Sequence, residues 1–458
     1  MSTIVAISTA PAIGGIGIIR LSGKKCFEVL DKIFIPKKHE KIEDIKGYQI
    51  KYGKIVEPNT GKTIDEVLVS YFKAPKSYTA ENMCEINSHG NMIILKKILN
   101  LCLENGAVLA EAGEFTKRAF LNGRIDLTQA EAIIDIINAG SAREAQESAN
   151  QLEGFLSKKI NNIKAKIMEL MVDIEANIDY PEYDLEEVSY KKAIEKLENV
   201  EKELLELEKT FENGKIIKEG IKIAIIGSPN AGKSSLLNAI LREERAIVTD
   251  IAGTTRDTIE ESAIIEGIPF RIVDTAGIRE TENMVEQIGI EKSKKAAEKS
   301  DVIVAVFDNN KELDKEDKEI LKLIKDKKAI IVLNKTDLKD SNLEKNDEIL
   351  NCNKKILKLS MKTENGLKSL FDELIKMFEL DEINSSNELI ITNIRHKNLI
   401  NNAALSARKA INDLKMFIPI DIVSISIKQI LEDFGEIVGD NVSEDIINSI
   451  FSKFCLGK

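Results

Sequence analysis

The segment Gly227-Ser228-Pro229-Asn230-Ala231-Gly232-Lys233-Ser234 predicts a nucleotide-binding α/β fold for the middle of this chain. It has the spacing GxxxxGK[ST], in which glycines let backbone N–H groups turn toward phosphate oxygens. The apolar run Lys222–Ile226 precedes it and a helical pattern opens at Ser235, which is the strand–loop–helix context that such a loop needs. We therefore expect Lys233 to bridge the β- and γ-phosphates and Ser234 to hold Mg²⁺.

Short apolar runs alternate with polar helical stretches around this loop, which predicts a parallel sheet with crossover helices. The runs are Lys222–Ile226, Phe270–Asp274, Val302–Asp308, Ala329–Leu333 and Ile356–Leu359. We place the bounds of this nucleotide-binding domain at residues 215–382.

The motifs after the later runs predict a guanine nucleotide. The carboxylate of Asp337, in Asn334–Asp337, can accept hydrogen bonds from N1–H and the 2-amino group of guanine. Adenine has no matching donors, so the site should take GTP rather than ATP. Ser360-Met361-Lys362 stands where GTPases usually carry Ser-Ala-Lys or Ser-Ala-Arg, and its contact is mainly through the backbone. The residues expected at GTP are Asn230, Ala231, Gly232, Lys233, Ser234, Ser235, Thr249, Asp250, Ile251, Ala252, Gly253, Thr254, Thr255, Asp274, Thr275, Ala276, Gly277, Asn334, Lys335, Thr336, Asp337, Ser360, Met361 and Lys362.

Two motifs between these loops are switch candidates. Thr249–Asp257 is the candidate switch I, with Thr255 as the second Mg²⁺ ligand. Asp274–Gly277 places Asp274 to hold Mg²⁺ through water and the Gly277 N–H to sense the γ-phosphate. Ras-like GTPases orient the attacking water with a glutamine directly after this motif, but here the residue is Ile278. An apolar side chain cannot align water, so another group must stabilise the charge of the transition state.

The bulk composition excludes several other classes. The 458 residues carry a net charge of −11 and the pI is near 5.2, which argues against a domain that coats nucleic acid by charge alone. Five scattered cysteines without a CxxC pair form neither a disulfide framework nor a zinc ribbon, and fit a reducing compartment. With no long apolar run and no basic leader, we expect a soluble, cytoplasmic protein.

Different patterns flank the nucleotide-binding domain. Residues 1–118 mix β-type runs with turns and predict an α+β domain, with strands such as Ile16–Leu21 and Val67–Phe72 and a helix at Asn91–Leu103.

Residues 119–214 and 383–458 carry apolar residues every three or four positions, which predicts long helices. One long helix should carry the stripe that starts at Leu152 and break at Pro181, and the next should stop at Asn213-Gly214. Because each helical stretch has an apolar stripe to cover, we predict that the two pack together as one discontinuous domain.

These motifs together resemble one family, the tRNA modification GTPases called MnmE or TrmE. The likeness goes beyond generic GTPase motifs and spans the whole chain. Its specific segments are Gly227–Ser234 with Gly253–Asp257, Phe120–Ala132 and Phe451–Lys458. The resemblance implies a multidomain α/β and α+β fold, with a Ras-like P-loop GTPase domain inserted in a helical domain. An α+β domain that resembles the folate-binding domain of the glycine-cleavage T-protein would precede them.

For the GTPase domain, the resemblance implies activation by potassium and pairing of two G domains face to face. The implied K⁺ ligands are Asn230, Thr249, Ile251 and Thr254. A cation there can take the role of an arginine finger. Glu286 would position the attacking water through a second water, and would be catalytic together with Lys233 and Asn230. Without the family, an exposed position on the switch II helix is the preferred explanation of Glu286.

For the first domain, the resemblance implies a constitutive homodimer and a site for a one-carbon tetrahydrofolate such as 5,10-methylenetetrahydrofolate. Arg20, Glu85, Arg124 and Lys458 match the folate contacts of the family, although many members carry lysine at the position of Arg124. Cationic groups suit the glutamate tail of folate and a carboxylate suits the pterin N–H edge. Without the family, surface charges or salt bridges would explain these residues. Cys455 has two interpretations, a catalytic thiol or a packing cysteine near the pocket.

The family reaction implies partners. With the flavoprotein MnmG, also called GidA, the family places an aminomethyl or carboxymethylaminomethyl group on C5 of the wobble uridine, U34, of certain tRNAs. FAD would belong to that partner, because this chain has no GxGxxG dinucleotide fingerprint.

A GTPase switch for ribosome assembly, in the style of Era or Der, is the alternative. The G domain does not distinguish the two. An assembly switch should carry an RNA-binding module such as a KH domain with a basic GxxG loop, and residues 385–458 show a helical pattern without one. The sequence therefore favours the tRNA modification family.

Overall fold

The structure is a computed structural model that describes residues 2–37, 47–179, 186–243, 261–273, 286–338, 343–363, 365–380 and 390–458. The chain forms two compact units. Unit 1 comprises Met1–Ile137, Asn150–Val200 and Asn402–Lys458, and unit 2 comprises Asn138–Ala149 and Glu201–Asn401. The three-domain boundaries at 118, 214 and 382 stay predictions.

The secondary structure follows in chain order. The strands are β1 (Ile4–Ile7), β2 (Gly14–Ser22), β3 (Phe34–Pro36), β4 (Gln49–Val56), β5 (Thr63–Phe72), β6 (Met83–Gly90), β7 (Val108–Leu109), β8 (Ile221–Gly227), β9 (Glu261–Ile265), β10 (Ile268–Ile272), β11 (Val302–Asp308), β12 (Ala329–Asn334) and β13 (Lys355–Lys358). The helices are α1 (Cys26–Ile33), α2 (Met92–Glu104), α3 (Glu114–Leu121), α4 (Leu127–Asn138), α5 (Ala142–Leu152), α6 (Phe155–Asp179), α7 (Glu186–Glu219), α8 (Lys233–Glu243), α9 (Glu286–Lys299), α10 (Lys315–Ile324), α11 (Asp347–Leu350), α12 (Leu367–Met377), α13 (Ile394–Lys415), α14 (Ile420–Val438) and α15 (Glu444–Phe451). None of the described helices is both long and apolar enough to cross a lipid bilayer.

The first sheet lies in unit 1, with the strand order β3-β4-β5-β6-β2-β1-β7. Alternate residues such as Ile19 and Ile86 are buried in one core with Leu30 of α1 and Ile98 of α2. Because side chains alternate along a strand, the register pair Arg20 and Glu85 falls on the opposite face of the sheet. The apolar side of each strand thus fixes where these two charged side chains lie.

Helices α6 and α14 pack along each other within unit 1. Their stripes, represented by Ile160 and Ile167 on α6 and by Ile427 and Ile430 on α14, are fully buried. These two helices, one from each predicted helical stretch, therefore cover each other's apolar stripes.

Two predicted helix boundaries are wrong. The stripe from Leu152 onward belongs to two helices, because the chain turns at Gly154 with φ +80° between α5 and α6. Helix α7 continues through Asn213-Gly214 and ends before Gly220, whose φ is +74°. A Cβ on Gly214 would collide with the carbonyl oxygen of Ile391, so this glycine allows close packing rather than a stop. Pro181 lies outside the described residues.

The second sheet lies in unit 2, with the order β13-β12-β11-β8-β10-β9. All its neighbours pair parallel except β9, which is antiparallel to β10 and was not predicted. Val304 and Val306 of β11 enter one core, whereas Ile303 and Ala305 enter another, so the strand is covered on both faces. This explains why β11 is a continuous apolar run, as parallel strands in such sheets are. The predicted strands form, and their carboxyl ends share one edge.

Candidate functional site

The phosphate loop connects β8 to the first turn of α8. Asn230 and Gly232 have positive φ values of +63° and +103°, which turn the backbone through the loop. A Cβ on Gly232 would collide with the amide nitrogen of Asn334, so only glycine lets the base loop approach this closely. Ser234 and Ser235 follow in the first turn of the helix, where N–H groups favour anions.

Lys233 is held over this loop. Its Nζ donates to the carbonyl oxygens of Gly227 at 2.9 Å and Ser228 at 2.8 Å. Burial lowers the pKa of Lys233, and the nearby carboxylates of Glu316 and Asp317 oppose that change. A phosphate beside this ammonium group would supply the counter-charge that the backbone carbonyls offer only in part.

Asn334 joins the phosphate loop to the base loop. Its Nδ2 donates to Ala231 O at 2.9 Å, and its Oδ1 accepts from Met361 N at 3.3 Å. The sequence motif placed Asn334 at the nucleotide, but the motif did not reveal that its side chain ties two loops together. The contact at Met361 uses only the backbone, so the departure from alanine is tolerated there.

Asp337 is prepared to accept hydrogen bonds. Ser360 Oγ donates to Asp337 Oδ1 at 2.7 Å, and this hydrogen bond is the main cause that lowers the pKa of Asp337. Thr336 Oγ1 donates to Leu359 O at 3.1 Å, while Lys335 Nζ donates to Asp308 Oδ2 at 2.7 Å. These bonds connect the ends of β11, β12 and β13 and leave an ionised carboxylate at the sheet edge.

The structure brings together only part of the predicted nucleotide site. The described residues of the phosphate and base loops meet at the carboxyl ends of parallel strands, where open α/β sheets bind ligands. Glu286 begins α9, and its side chain lies outside the described part of the chain. Also outside the described residues are Thr249, Asp250, Ile251, Ala252, Gly253, Thr254, Thr255, Asp274, Thr275, Ala276 and Gly277.

A second cluster lies in unit 1 and contains Arg20, Glu85, Arg124 and Lys458; we call it the Arg20 cluster. Arg20 Nε donates to Glu85 Oε1 at 2.8 Å, with both side chains mostly buried. Burial is the main cause that lowers the pKa of Lys458, the positive charge of Arg20 adds to it, and Glu85 opposes it. Three cationic groups and one carboxylate give this cluster a net positive charge, which favours binding of an anion.

The 451–458 segment brings Lys458 to this cluster. Phe451 and Phe454 are buried against residues of α3 and α4. The carbonyl oxygen of Gly457 accepts from Ser8 Oγ at 3.0 Å and from Arg20 Nη1 at 3.1 Å. Gly457 has φ +89°, and a Cβ there would lie 2.5 Å from Ile7 O. Glycine is thus required at this position for the segment to reach β1.

Tyr78 lies between the arginines of the cluster. The guanidinium carbons of Arg20 and Arg124 lie 5.4 Å and 5.0 Å from the centre of its ring. Arg124 Nη1 also donates to Tyr78 O at 3.0 Å. Sequence reasoning missed Tyr78, Ser8 and Gly457, because neither pattern nor spacing shows that they meet Arg20.

The cysteines differ in exposure. Cys26, Cys84, Cys102 and Cys352 are buried, as predicted for small apolar side chains, whereas Cys455 is exposed beside the buried Phe454. Exposure does not fit the packing interpretation of Cys455, and its chemical role stays a prediction.

The parallel sheet, the phosphate loop and the guanine-type base loop define a P-loop GTPase. A sequence profile described as MnmE helical domain matches residues 127–455, and one described as GTP-binding protein TrmE N-terminus matches residues 3–124. Proteins named tRNA modification GTPase MnmE are similar over 100% of this chain and 99% of their own length. Those from Acetivibrio thermocellus, Alkaliphilus oremlandii and Clostridioides difficile are each 48% identical to it. The chain therefore belongs to the MnmE family of tRNA modification GTPases.

Proposed function

We propose that this chain is a potassium-activated GTPase that modifies tRNA together with a flavoprotein partner of the MnmG (GidA) type. The complex would install an aminomethyl or carboxymethylaminomethyl group on C5 of wobble uridine U34, with carbon from a one-carbon tetrahydrofolate. The observation that carries this proposal is that one chain holds both a guanine-type P-loop site and the Arg20 cluster. Relatives that it matches along their whole length are named for GTP hydrolysis and tRNA modification.

The phosphate and base loops support the GTP half of the proposal. Asp337 would accept from the guanine base, and its lowered pKa keeps it ionised at neutral pH. Lys233 would turn from its carbonyl acceptors to the β- and γ-phosphates, and Ser234 with Thr255 would hold Mg²⁺. The reaction consumes water and GTP and releases GDP and phosphate.

The donor chemistry at the phosphate loop fits K⁺. Asn230 is exposed at a positive φ, and its amide offers a hard oxygen of the type that such cations take. Thr249, Ile251 and Thr254 would add hydroxyl or carbonyl oxygens. When bound, K⁺ would offset negative charge that develops on the phosphates. Glu286 would position the attacking water through a second water, since Ile278 cannot align one.

Exchange of the salt tests the potassium assignment. GTP hydrolysis should be at least about tenfold faster in KCl than in NaCl at equal ionic strength, and Asn230→Ala should remove the difference. The comparison at equal ionic strength controls for screening of charge. Equal wild-type rates in the two salts would remove Asn230 from a cation site.

The Arg20 cluster supports the folate half. Its three cationic groups suit the carboxylates of a glutamate tail, and Glu85 suits the pterin N–H edge. Titration with 5-formyltetrahydrofolate should give saturable binding that Arg20→Ala weakens about tenfold or more, because a charge-assisted contact is lost. Lys54→Ala, which removes an exposed lysine of the same sheet, is the matched control. A titration without any binding signal would refute the folate site.

Assembly and location complete the proposal. We propose a homodimer through the first domain, pairing of G domains on GTP, and action in the cytoplasm on tRNA. Wobble uridines from a strain that lacks this chain should lose the C5 modification. Retention of the modified nucleoside in such tRNA would refute the tRNA function while leaving GTP hydrolysis intact.

A further inference from the structure

The ring of Tyr78 organises charges that would otherwise repel one another. Arg20 and Arg124 both lie over it, at 5.4 Å and 5.0 Å from the ring centre to the guanidinium carbon. Two like charges that contact one ring repel each other. The negative face of an aromatic ring attracts each cation and so opposes that repulsion.

The ring itself is fixed from its other end. Tyr78 OH shares a 2.8 Å hydrogen bond with the hydroxyl of Thr116, a fully buried residue of α3. Burial raises the pKa of Tyr78, so the phenol stays neutral and keeps this bond at physiological pH. Tyr78 is therefore a rigid surface rather than a mobile side chain.

Each arginine keeps donors that can reach a ligand. Arg20 uses Nε for Glu85 and Nη1 for Gly457 O, and Arg124 uses Nη1 for Tyr78 O. Within the described ranges, neither Nη2 has a hydrogen-bond partner in the protein. A guanidinium with an unused donor edge presents it to a carboxylate in a fixed direction.

We propose that Tyr78 is a positioning residue that holds Arg20 and Arg124 at a fixed separation for the glutamate carboxylates of a folate ligand. This inference rests on the proposed folate site and names the part of the ligand that the two arginines recognise. Tyr78 acts through the arginines, so its loss should weaken binding only of ligands that offer the arginines a carboxylate.

Calorimetric titration of the full-length protein with two ligands tests this role. The ligands are 5-formyltetrahydrofolate and 5-formyl-6-methyltetrahydropterin, which keeps the pterin but carries no carboxylate. Tyr78→Leu should weaken binding of the first about tenfold and of the second less than about threefold. Tyr78→Phe keeps the ring but loses the hydrogen bond to Thr116, so it should weaken binding of the glutamate-bearing ligand less than Tyr78→Leu does. A residue needed only for the fold would weaken both ligands equally.

A double-mutant cycle separates action through Arg124 from direct contact. Arg124→Ala, a change at an exposed side chain, should weaken the glutamate-bearing ligand, and adding Tyr78→Leu should weaken it much less than Tyr78→Leu does alone. If Tyr78→Leu does not fold, Arg124→Ala still decides, since unchanged affinity for the glutamate-bearing ligand overturns the inference. Wild-type protein that binds neither ligand refutes the folate site itself, and this inference falls with it. Wild-type binding that Tyr78→Leu leaves unchanged refutes only the positioning role.

Discussion

The nucleotide site and the Arg20 cluster are built in opposite ways. Each loop of the nucleotide site is a continuous motif, and the parallel sheet brings the loops together because each follows the carboxyl end of a strand. In the Arg20 cluster, bonded partners lie 65, 437 and 449 positions apart along the chain. A continuous motif carries its chemistry in its spacing, whereas a cluster of distant residues shows its chemistry only after the chain has folded.

The largest expected effect falls on the base loop. Asp337→Asn should lower kcat/KM for GTP by about a thousandfold and create a preference for xanthosine triphosphate, because the amide now donates where guanine also donates. Competition between the two nucleotides in a hydrolysis assay measures this shift. Asp326→Asn, at an exposed aspartate of the same unit, should change nothing. An unchanged preference for GTP would exclude Asp337 from the base site.

A smaller effect should follow from an added side-chain carbon between the phosphate loop and the base loop. Gly232→Ala places a Cβ against the side chain of Asn334 and must displace one loop, so kcat/KM for GTP should fall about a hundredfold. Gly15→Ala adds a methyl group where no atom lies within 4 Å and serves as the control. Near-normal hydrolysis by Gly232→Ala would show that the Asn334 contact does not position the phosphate loop.

The corresponding glycine substitution in the Arg20 cluster should affect folate binding and leave GTP hydrolysis nearly unchanged. Gly457→Ala pushes the 451–458 segment away from β1, which removes the shared acceptor of Ser8 and Arg20. Affinity for 5-formyltetrahydrofolate should fall about tenfold while GTP hydrolysis stays within about twofold. Leu456→Ala, at the neighbouring exposed side chain, is the control in the same titration. Equal losses in both assays would contradict the independence of the two sites.

The smallest effect concerns the stability of unit 1. Asp433 on α14 is only 5% exposed, and burial raises its pKa to about 6. Its protonated form is favoured in the folded protein. The stability that this protonation contributes is therefore complete below about pH 4 and is lost as the pH rises through 6. Asp433→Asn keeps the Gln429 hydrogen bond to Oδ1 and should raise the free energy of unfolding at pH 8 by about 1 kcal/mol.

Denaturant unfolding at pH 5 and pH 8 measures this difference. The gain of Asp433→Asn over wild type should be larger at pH 8 than at pH 5. Glu28→Gln, at an exposed glutamate of α1 in the same unit, should show no such dependence. A gain that is equal at both pH values would mean that Asp433 is neutral, or equally charged, throughout this range.

The sequence predicted the second sheet well because its strands are buried on both faces and read as continuous apolar runs. Strand β9 was not predicted, since this short antiparallel edge strand has no continuous apolar run. The end of α7 was predicted at the wrong residue because Gly214 allows close packing against Ile391 rather than a helix stop. The sequence does not distinguish these two roles of a glycine. At the candidate sites, motifs predicted Lys233 and Asp337, and only the family resemblance singled out Arg20 and Lys458.

Tyr78, Ser8 and Gly457 could not have been predicted, for a physical reason. Their contributions are a ring face, a hydroxyl and a backbone carbonyl, which nearly any sequence offers at many positions. What selects them is the approach of the 451–458 segment to β1 and β2, and this depends on packing across the whole of unit 1.

The hydrogen bond between Ser8 and Gly457 also orders events during synthesis. The two residues are 449 positions apart, so at about 5–20 residues per second the ribosome adds Gly457 roughly 20–90 s after Ser8. The first sheet can therefore form while Ser8 and Arg20 still lack the carbonyl that they share. A nascent chain released before Gly457 would carry the folded sheet but an incomplete Arg20 cluster.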